Sequence, residues 1–110
     1  LTSVLKDTVV PTVSLLVSPT INSTNVSAYT VSGACSENGR TVSVQVGSVS
    51  GTPSCSGGNW SATLNVSAVS DGASVSVTAN HTDVAGNAAT PGSATVVKDT
   101  SIPTVTIAVY

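Results

Sequence analysis

The chain repeats part of itself at a fixed distance. The segment KDTVVPTVSL at residues 6–15 returns as KDTSIPTVTI at residues 98–107, so the offset is 98 minus 6, or 92 residues. A fixed offset of this kind is typical of tandem arrays, in which one small domain is copied along the chain. A unit of this size can bury one hydrophobic core but not two. We therefore predict one whole domain flanked by pieces of neighbouring copies.

The offset also predicts where the domain begins and ends. The start of the chain has no basic segment followed by an apolar one, as an export signal would have, which fits a piece from the interior of a longer precursor. The predicted divisions are the last strand of a preceding repeat at residues 1–5, a linker at 6–10, the repeat itself at 11–97, and a linker with the first strand of a following repeat at 98–110.

Apolar residues alternate with polar ones along several segments. Alternation puts Val42, Val44 and Val46 on one face, and the segments 59–66 and 73–81 show the same period of two. The chain holds 20 Val, 19 Ser and 16 Thr but no Phe or Met, and β-branched residues favour a pleated, half-buried surface. No segment shows a sustained helical period. The pattern predicts β-strands throughout.

Turn-forming residues separate these segments at regular intervals. Their spacing predicts an all-β fold, an antiparallel sandwich of seven strands. Trp60 is predicted to anchor the core between the two sheets and not to serve as a platform for a ligand. The predicted strands are A at residues 11–17, B at 26–34, C at 41–47, D at 49–55, E at 59–66, F at 73–82 and G at 89–97.

The two cysteines fall at the same predicted end of the sandwich, because strands B and D end at that pole with Cys35 and Cys55. Two Cα atoms within about 7 Å can form a disulfide, and we predict one. It would place the domain in an oxidising compartment. The alternatives are two buried thiols or a zinc site, for which His81 would be the single further soft ligand.

The scarcity of charge argues against several functions. Three basic residues and five acidic ones give a net charge of −2, whereas nucleic-acid binding needs clustered Lys or Arg. No apolar run is long enough for a membrane helix, so membrane insertion of this segment is not expected. Partners are instead expected to be neighbouring copies of the same repeat.

Catalytic motifs are also missing, and we predict that the protein is not an enzyme. The segment GSVSG at residues 47–51 has Val49 where a nucleophilic serine would stand. His81 and Asp83 lie two apart on one strand, which we interpret as structural. A Lys-to-Asn isopeptide bond needs a buried lysine, whereas Lys6 and Lys98 are both expected in linkers.

Five short motifs follow one another in a fixed order along the repeat. They are DTVVPTV at residues 7–13, GACSENG at 33–39, CSGGNWSATL at 55–64, SDG at 70–72 and TDVAGN at 82–87. This order resembles the bacterial immunoglobulin-like repeats of large secreted surface adhesins and biofilm-associated proteins. The resemblance implies an immunoglobulin-like sandwich and an extracellular spacer or adhesive domain at the cell surface, often dependent on calcium.

The acidic residues of the repeat are all predicted at its poles or in its linkers. Stacked repeats would bring them together at each junction, and several converging hard oxygens are what Ca²⁺ requires. We predict calcium at the junction, where it would stiffen the array. The alternative is ordinary turn and linker chemistry. The predicted ligands are Asp7, Asp83, Asn87 and Asp99, with Glu37 and Asp71 as supporting residues.

Asparagine glycosylation is a further prediction from sequence. Five asparagines stand in N-x-S/T sequons, more than chance would give in this composition. Glycans on an extracellular rod are one interpretation, and solvated turn and strand residues are the other. The sequons begin at Asn22, Asn25, Asn59, Asn65 and Asn80.

Two classes of function fit these observations. The first is a structural spacer in a long extracellular adhesin. The second is a subunit of a filament in which a terminal strand such as TVTIAVY, residues 104–110, completes the sheet of the next subunit. A carbohydrate-binding module is less well supported, because only Trp60, Tyr29 and Tyr110 could stack on a sugar.

Overall fold

The computed structural model of the protein describes residues 4–16 and 18–109. These residues contain β-strands and no helix, as the alternation of apolar and polar residues predicted. The strands are β1 (Tyr29–Ala34), β2 (Val42–Val46), β3 (Val49–Gly51), β4 (Asn59–Leu64), β5 (Gly72–His81) and β6 (Gly92–Lys98).

The six strands form two antiparallel sheets. One sheet pairs β1 with β4, and the other has the order β3-β2-β5-β6. Both sheets contribute to one hydrophobic core. Its fully buried residues include Tyr29, Val31 and Trp60 from the first sheet and Val44 and Val77 from the second. The all-β prediction is confirmed.

The predicted buried faces are also confirmed. Val42, Val44 and Val46 are at most 1% exposed, whereas the intervening Ser43 and Gln45 face solvent. Trp60 is 2% exposed and is therefore a core residue. The period of two was enough to place these side chains because one face of each strand must leave water.

The predicted first strand differs from the structure. Among the described residues of this segment only Val13 forms a bridge, to Cys35. Three main-chain hydrogen bonds accompany it, from Ser14 N to Ala34 O, from Ser36 N to Thr12 O and from Leu16 N to Ser32 O. Pro11 has no N–H to donate. Val17, which the prediction included, lies outside the described residues. The described part of the chain therefore has six strands where sequence predicted seven.

The chain then crosses from one sheet to the other. Ile21 forms a parallel bridge with Lys98: Ile21 N donates to Val97 O at 2.8 Å, and Asp99 N donates to Ile21 O at 2.9 Å. The last strand therefore continues to Lys98, one residue beyond the predicted end. Lys98 is 4% exposed. The expectation that both lysines lie in linkers is wrong for Lys98.

Cys35 and Cys55 form a disulfide, with their Cα atoms 6.0 Å apart. The topological prediction is confirmed, and the alternatives of buried thiols and of a zinc site are wrong. The disulfide joins the end of β1 to the segment before β4, so it closes the pole at which the chain enters the domain.

The described residues span 93 × 22 × 20 Å. This length arises because the two terminal segments leave opposite ends of the pair of sheets, at Asp7 and at Asp99. Neither segment forms a strand where it is described, so Val4, Leu5 and residues 101–109 are exposed. Residues 1–3 and Tyr110 lie outside the described residues. No helix in the described part of the chain has the length and apolar character needed to cross a membrane.

Candidate functional site

The predicted site residues separate into two groups at opposite ends of the pair of sheets. The structure brings Asp7, Asp83 and Asn87 together where the chain enters, and we call this group the entry cluster. It brings Asp71 together with Lys98 and Thr100 where the chain leaves, and we call this group the exit cluster.

The loop between β5 and β6 builds the entry cluster. Asp83 N donates to Asn87 O at 3.0 Å, and Gly86 N donates to Asp83 O at 3.1 Å. Gly86 has a φ of 91°, which favours glycine, and this allows the tight turn. The Asp83 carboxylate accepts from Asn87 N through Oδ1 at 2.8 Å and from Asn87 Nδ2 through Oδ2 at 2.9 Å. The carboxylate is thereby held in one orientation.

Asn87 connects this loop to the entering chain. Its Nδ2 also donates to the main-chain oxygen of Asp7 at 2.8 Å, so one amide nitrogen stands between two oxygens. The Asp7 carboxylate accepts from Val9 N at 3.0 Å through Oδ1. The entering segment is therefore attached to the loop by the Asp7 main chain, while the Asp7 carboxylate shapes a local turn.

The entry cluster holds a stabilised negative charge. The hydrogen bond from the Asn87 side chain is the main cause that lowers the pKa of Asp83, and main-chain N–H groups add to it, while burial acts in the opposite direction. Asp83 is 2% exposed. Arg40 lies beside it and donates to the main-chain oxygens of Thr82 at 3.3 Å and Asp83 at 3.1 Å.

His81 and Glu37 have structural contacts near this cluster. Glu37 N donates to His81 Nε2 at 3.1 Å, and His81 Nδ1 lies 3.1 Å from Thr41 O. Nδ1 therefore carries the proton and donates to that carbonyl, which leaves the imidazole neutral. Both ring nitrogens of His81 are engaged with main chain and not with Asp83.

The exit cluster is built around the buried lysine. The Lys98 ammonium donates to the main-chain oxygens of Val66 at 3.1 Å, Ser67 at 3.3 Å and Val69. Asp71 Oδ1 lies 4.0 Å from Nζ, the sole ion pair among the described residues. The Asp71 carboxylate is 44% exposed. The contact is therefore an ion pair at the edge of the three main-chain oxygens that surround the ammonium, which we call the carbonyl cage.

Neither cluster is a complete metal site by its acidic residues alone. The described residues contain no group of three or more His, Cys, Asp or Glu side chains able to hold a metal ion. The entry cluster nevertheless offers hard oxygens from Asp83, from Asn87 and from the main chain of Asp7, a donor set that suits Ca²⁺. In the exit cluster Asp71 already faces an ammonium. The exposed Asp99 has its Oδ1 engaged with Ser101 N at 3.0 Å.

Lys98, Thr100 and Arg40 were not among the predicted site residues. For Lys98 the signal was present, because alternation in β6 places Ala94, Val96 and Lys98 on the same face. A lysine that continues an inward-facing row is expected to be buried with partners. The contacts of Arg40 and Thr100 depend on loops that the sequence pattern does not position.

The remaining predicted residues lie on the surface or in the core. Trp60 and Tyr29 are buried, so neither presents a ring on which a sugar could stack. Asn25 Nδ2 donates to Thr20 O and Asn59 Nδ2 to Gly57 O. Asn22, Asn59, Asn65 and Asn80 are exposed and Asn25 is half-buried. Their glycosylation stays a prediction.

Comparisons with known proteins add a likeness of fold. No protein-family model matches the chain, and no curated protein matches it. A solved structure of a Ca²⁺-stabilised adhesin, which helps an Antarctic bacterium reach out and bind ice, matches 84% of this chain with a TM-score of 0.63 and 24% identity. A 1.5-MDa bacterial ice-binding adhesin, solved in connection with host cell surface retention, matches 83% with a TM-score of 0.58 and 25% identity.

The matched chains are much longer than this one. The chain covers 25% of the first and 32% of the second, so the similarity concerns a segment of each adhesin. The chain therefore shares its fold with segments of two bacterial adhesins.

Proposed function

We propose that this chain is a spacer repeat of an extracellular cell-surface adhesin. The observation that carries the proposal is the position of the two KDT segments at opposite ends of one sandwich, the first of them bonded to the entry cluster. A chain that enters at one end and leaves at the other can stack copies in line. The similarity of fold to segments of two adhesins supports this role.

Calcium bound at the entry cluster is the second part of the proposal. The Asn87 amide nitrogen now lies 2.9 Å from Asp83 Oδ2 and 2.8 Å from Asp7 O. Rotating the amide by 180° would present Asn87 Oδ1 instead, so that three oxygens would converge on a cation. Ca²⁺ binds oxygens at about 2.3–2.6 Å.

The linker residue of each junction completes this proposed site. Asp7 would be this linker ligand at the entry cluster described above. Asp99 would be the linker ligand at the junction with a following repeat. Glu37 and Asp71 are proposed as supporting residues, Glu37 through its loop beside His81 and Asp71 through its hold on Thr100. Calcium joining linker to loop would oppose bending of the array.

A chain of two repeats tests this function, made by joining residues 19–110 to the end of residues 1–110. Small-angle scattering should give an extended particle that lengthens or stiffens with calcium, and calorimetry should show heat of binding. Asp83→Asn in both repeats should abolish that heat, while Asn80→Ala on the exposed face of β5 should keep it. Absence of binding heat together with an unchanged melting temperature would contradict the calcium site.

Filament assembly by strand addition is the second candidate. It is favoured by the exposure of residues 103–109, which correspond by the offset of 92 to residues 11–17, where Ser14 and Leu16 bond to β1. Val105, Ile107 and Val109 are 91%, 88% and 91% exposed. Such a segment could pair with β1 of another copy by displacing that copy's own residues 12–16, which hydrogen-bond along this edge. Light scattering of the 110-residue protein decides between the two: a monomer at increasing concentration supports the spacer, and filaments support strand addition.

A further inference from the structure

The two copies of the KDT sequence show the two halves of one junction. The copy at residues 98–100 is seen against the repeat that it leaves, and the copy at residues 6–8 is seen against the repeat that it enters. Both make the same local turn: Asp99 Oδ1 accepts from Ser101 N and Asp7 Oδ1 accepts from Val9 N, each at 3.0 Å. The copies can therefore be treated as equivalent.

Lysine provides the first contact with the preceding repeat. The Lys98 ammonium is buried among three main-chain oxygens, with the Asp71 carboxylate 4.0 Å away. Three carbonyls and a carboxylate are ligands that a metal ion would also accept. A covalently attached cation thus fills this end of the repeat, and it neutralises Asp71 without any ion from solution. The equivalent Lys6 is exposed.

Threonine and the aspartate main chain provide the next contacts. Asp71 accepts from Thr100 N at 3.1 Å through Oδ2 and from Thr100 Oγ1 at 3.1 Å through both carboxylate oxygens. Asp99 N donates to Ile21 O at 2.9 Å. The preceding repeat therefore holds three consecutive residues, the last residue of β6 and the two that follow it.

The following repeat binds the KDT segment through an atom that the preceding repeat does not contact. In the described copy, Asn87 Nδ2 donates to the main-chain oxygen of Asp7, the oxygen equivalent to that of Asp99. The preceding repeat uses Lys98 Nζ, Asp99 N and the polar hydrogens of Thr100. Since the two sets share no atom, both sets of contacts can form at once.

We propose that residues 98–100 form a clamp between consecutive repeats that needs no metal. Lys98 and Thr100 fasten it to the preceding repeat, and the Asp99 carbonyl is held by the Asn87 position of the following one. The inference rests on the proposed tandem function. Pro11 is buried in the repeat that it enters, so by equivalence only residues 99–102 lie between domains. Fully extended, they reach about 14 Å, which keeps the two repeats close.

The first test uses the 110-residue protein itself. Lys98→Met should lower the melting temperature by roughly 5–15 °C and increase hydrogen exchange at the amides of Asp99 and Thr100. Lys6→Met, its matched control, should change neither. Thr100→Val should loosen the same amides without unfolding the domain, compared with Thr8→Val. Unchanged exchange in both Lys98→Met and Thr100→Val would overturn the clamp.

The second test uses the two-repeat chain in the presence of a calcium chelator. Scattering should still give an in-line particle, and Lys98→Met or Thr100→Val at the internal junction should allow bending. A chelated parent chain as flexible as these variants would overturn the clamp. If that same parent were stiff in calcium, the spacer function would still hold. A parent chain that bends freely with and without calcium would contradict the spacer function. Hydrogen exchange at the amides of Asp99 and Thr100 would still report on the contacts with the preceding repeat.

Discussion

The indole Nε1 of Trp60 donates a hydrogen bond of 3.0 Å to the main-chain oxygen of Ser14. The contact passes directly over Gly33, which pairs with Trp60 across β1 and β4. In a regular ladder the main-chain oxygen of Ser14 would accept from Ala34 N. Because the Trp60 indole occupies that oxygen, the Ser14 hydroxyl accepts from Ala34 N instead, at 3.2 Å. The segment that contains Ser14 is fixed to the core by this contact.

Gly33→Ala should destabilise the domain by about 3 kcal/mol, because the space above Gly33 is already filled. A Cβ at this position would lie 1.8 Å from Ser14 O and 2.7 Å from Trp60 Nε1. Urea unfolding followed by tryptophan fluorescence measures the change.

Gly72→Ala is the matched control for this substitution, since Gly72 is also in a strand but a Cβ added there would have nothing within 4 Å. It should alter the free energy of unfolding by no more than about 0.5 kcal/mol. Equal effects of the two substitutions would contradict the close approach of Ser14 to Gly33.

The sequence was sufficient wherever the period of two decided burial. Val75, Val77, Ala79 and His81 alternate with polar residues and are buried as predicted. The disulfide followed because strand directions alone bring two strand ends to one pole. Both predictions depend on local pattern and topology, which a single chain contains.

The sequence was insufficient where a side chain replaced a main-chain partner. The predicted first strand lost its regular ladder to the Trp60 indole, and Lys98 was assigned to a linker although it ends a buried row. A lysine is buried only when specific acceptors surround it. The carbonyl cage that does so comes from the loop before β5, whose conformation has no periodic signal.

Reduction of the disulfide should lower the free energy of unfolding by about 3 kcal/mol on the chain-entropy estimate. The bridge closes a loop with a sequence separation of 20. Urea unfolding with and without dithiothreitol measures the difference. The double variant Cys35→Ala, Cys55→Ala should be insensitive to the reductant, and a reductant effect that persists in it would have another source.

Acid should weaken the entry cluster through Asp83. The folded-state pKa of Asp83 lies below the ordinary 3.8, chiefly because of the Asn87 side-chain hydrogen bond. As the pH falls, the unfolded chain binds the proton first, so this stabilisation is complete above pH 3.8 and is lost as the pH falls through the folded pKa. Urea unfolding between pH 6 and pH 2 should show the decline.

Asp83→Asn should reduce this dependence on acid, at the expense of some stability at neutral pH. Asp99→Asn is a suitable control because Asp99 is exposed and its side chain makes a local hydrogen bond to Ser101 N; this variant should retain the decline. A parent and an Asp83→Asn protein with parallel stability curves would show that Asp83 is not responsible.

Alkali should weaken the core through Tyr29. Burial is the main cause that raises the pKa of Tyr29 above the ordinary 10.0, while a hydrogen bond with Ser18 acts in the opposite direction. The unfolded chain therefore releases the phenolic proton first, so the stabilisation is complete below pH 10 and is lost as the pH rises through the folded pKa. Tyr29→Phe should lose about 1 kcal/mol at neutral pH, because the hydroxyl donates to Pro19 O, but should decline less between pH 9 and pH 11. If both proteins lost the same free energy over that interval, the alkaline transition would belong to another group.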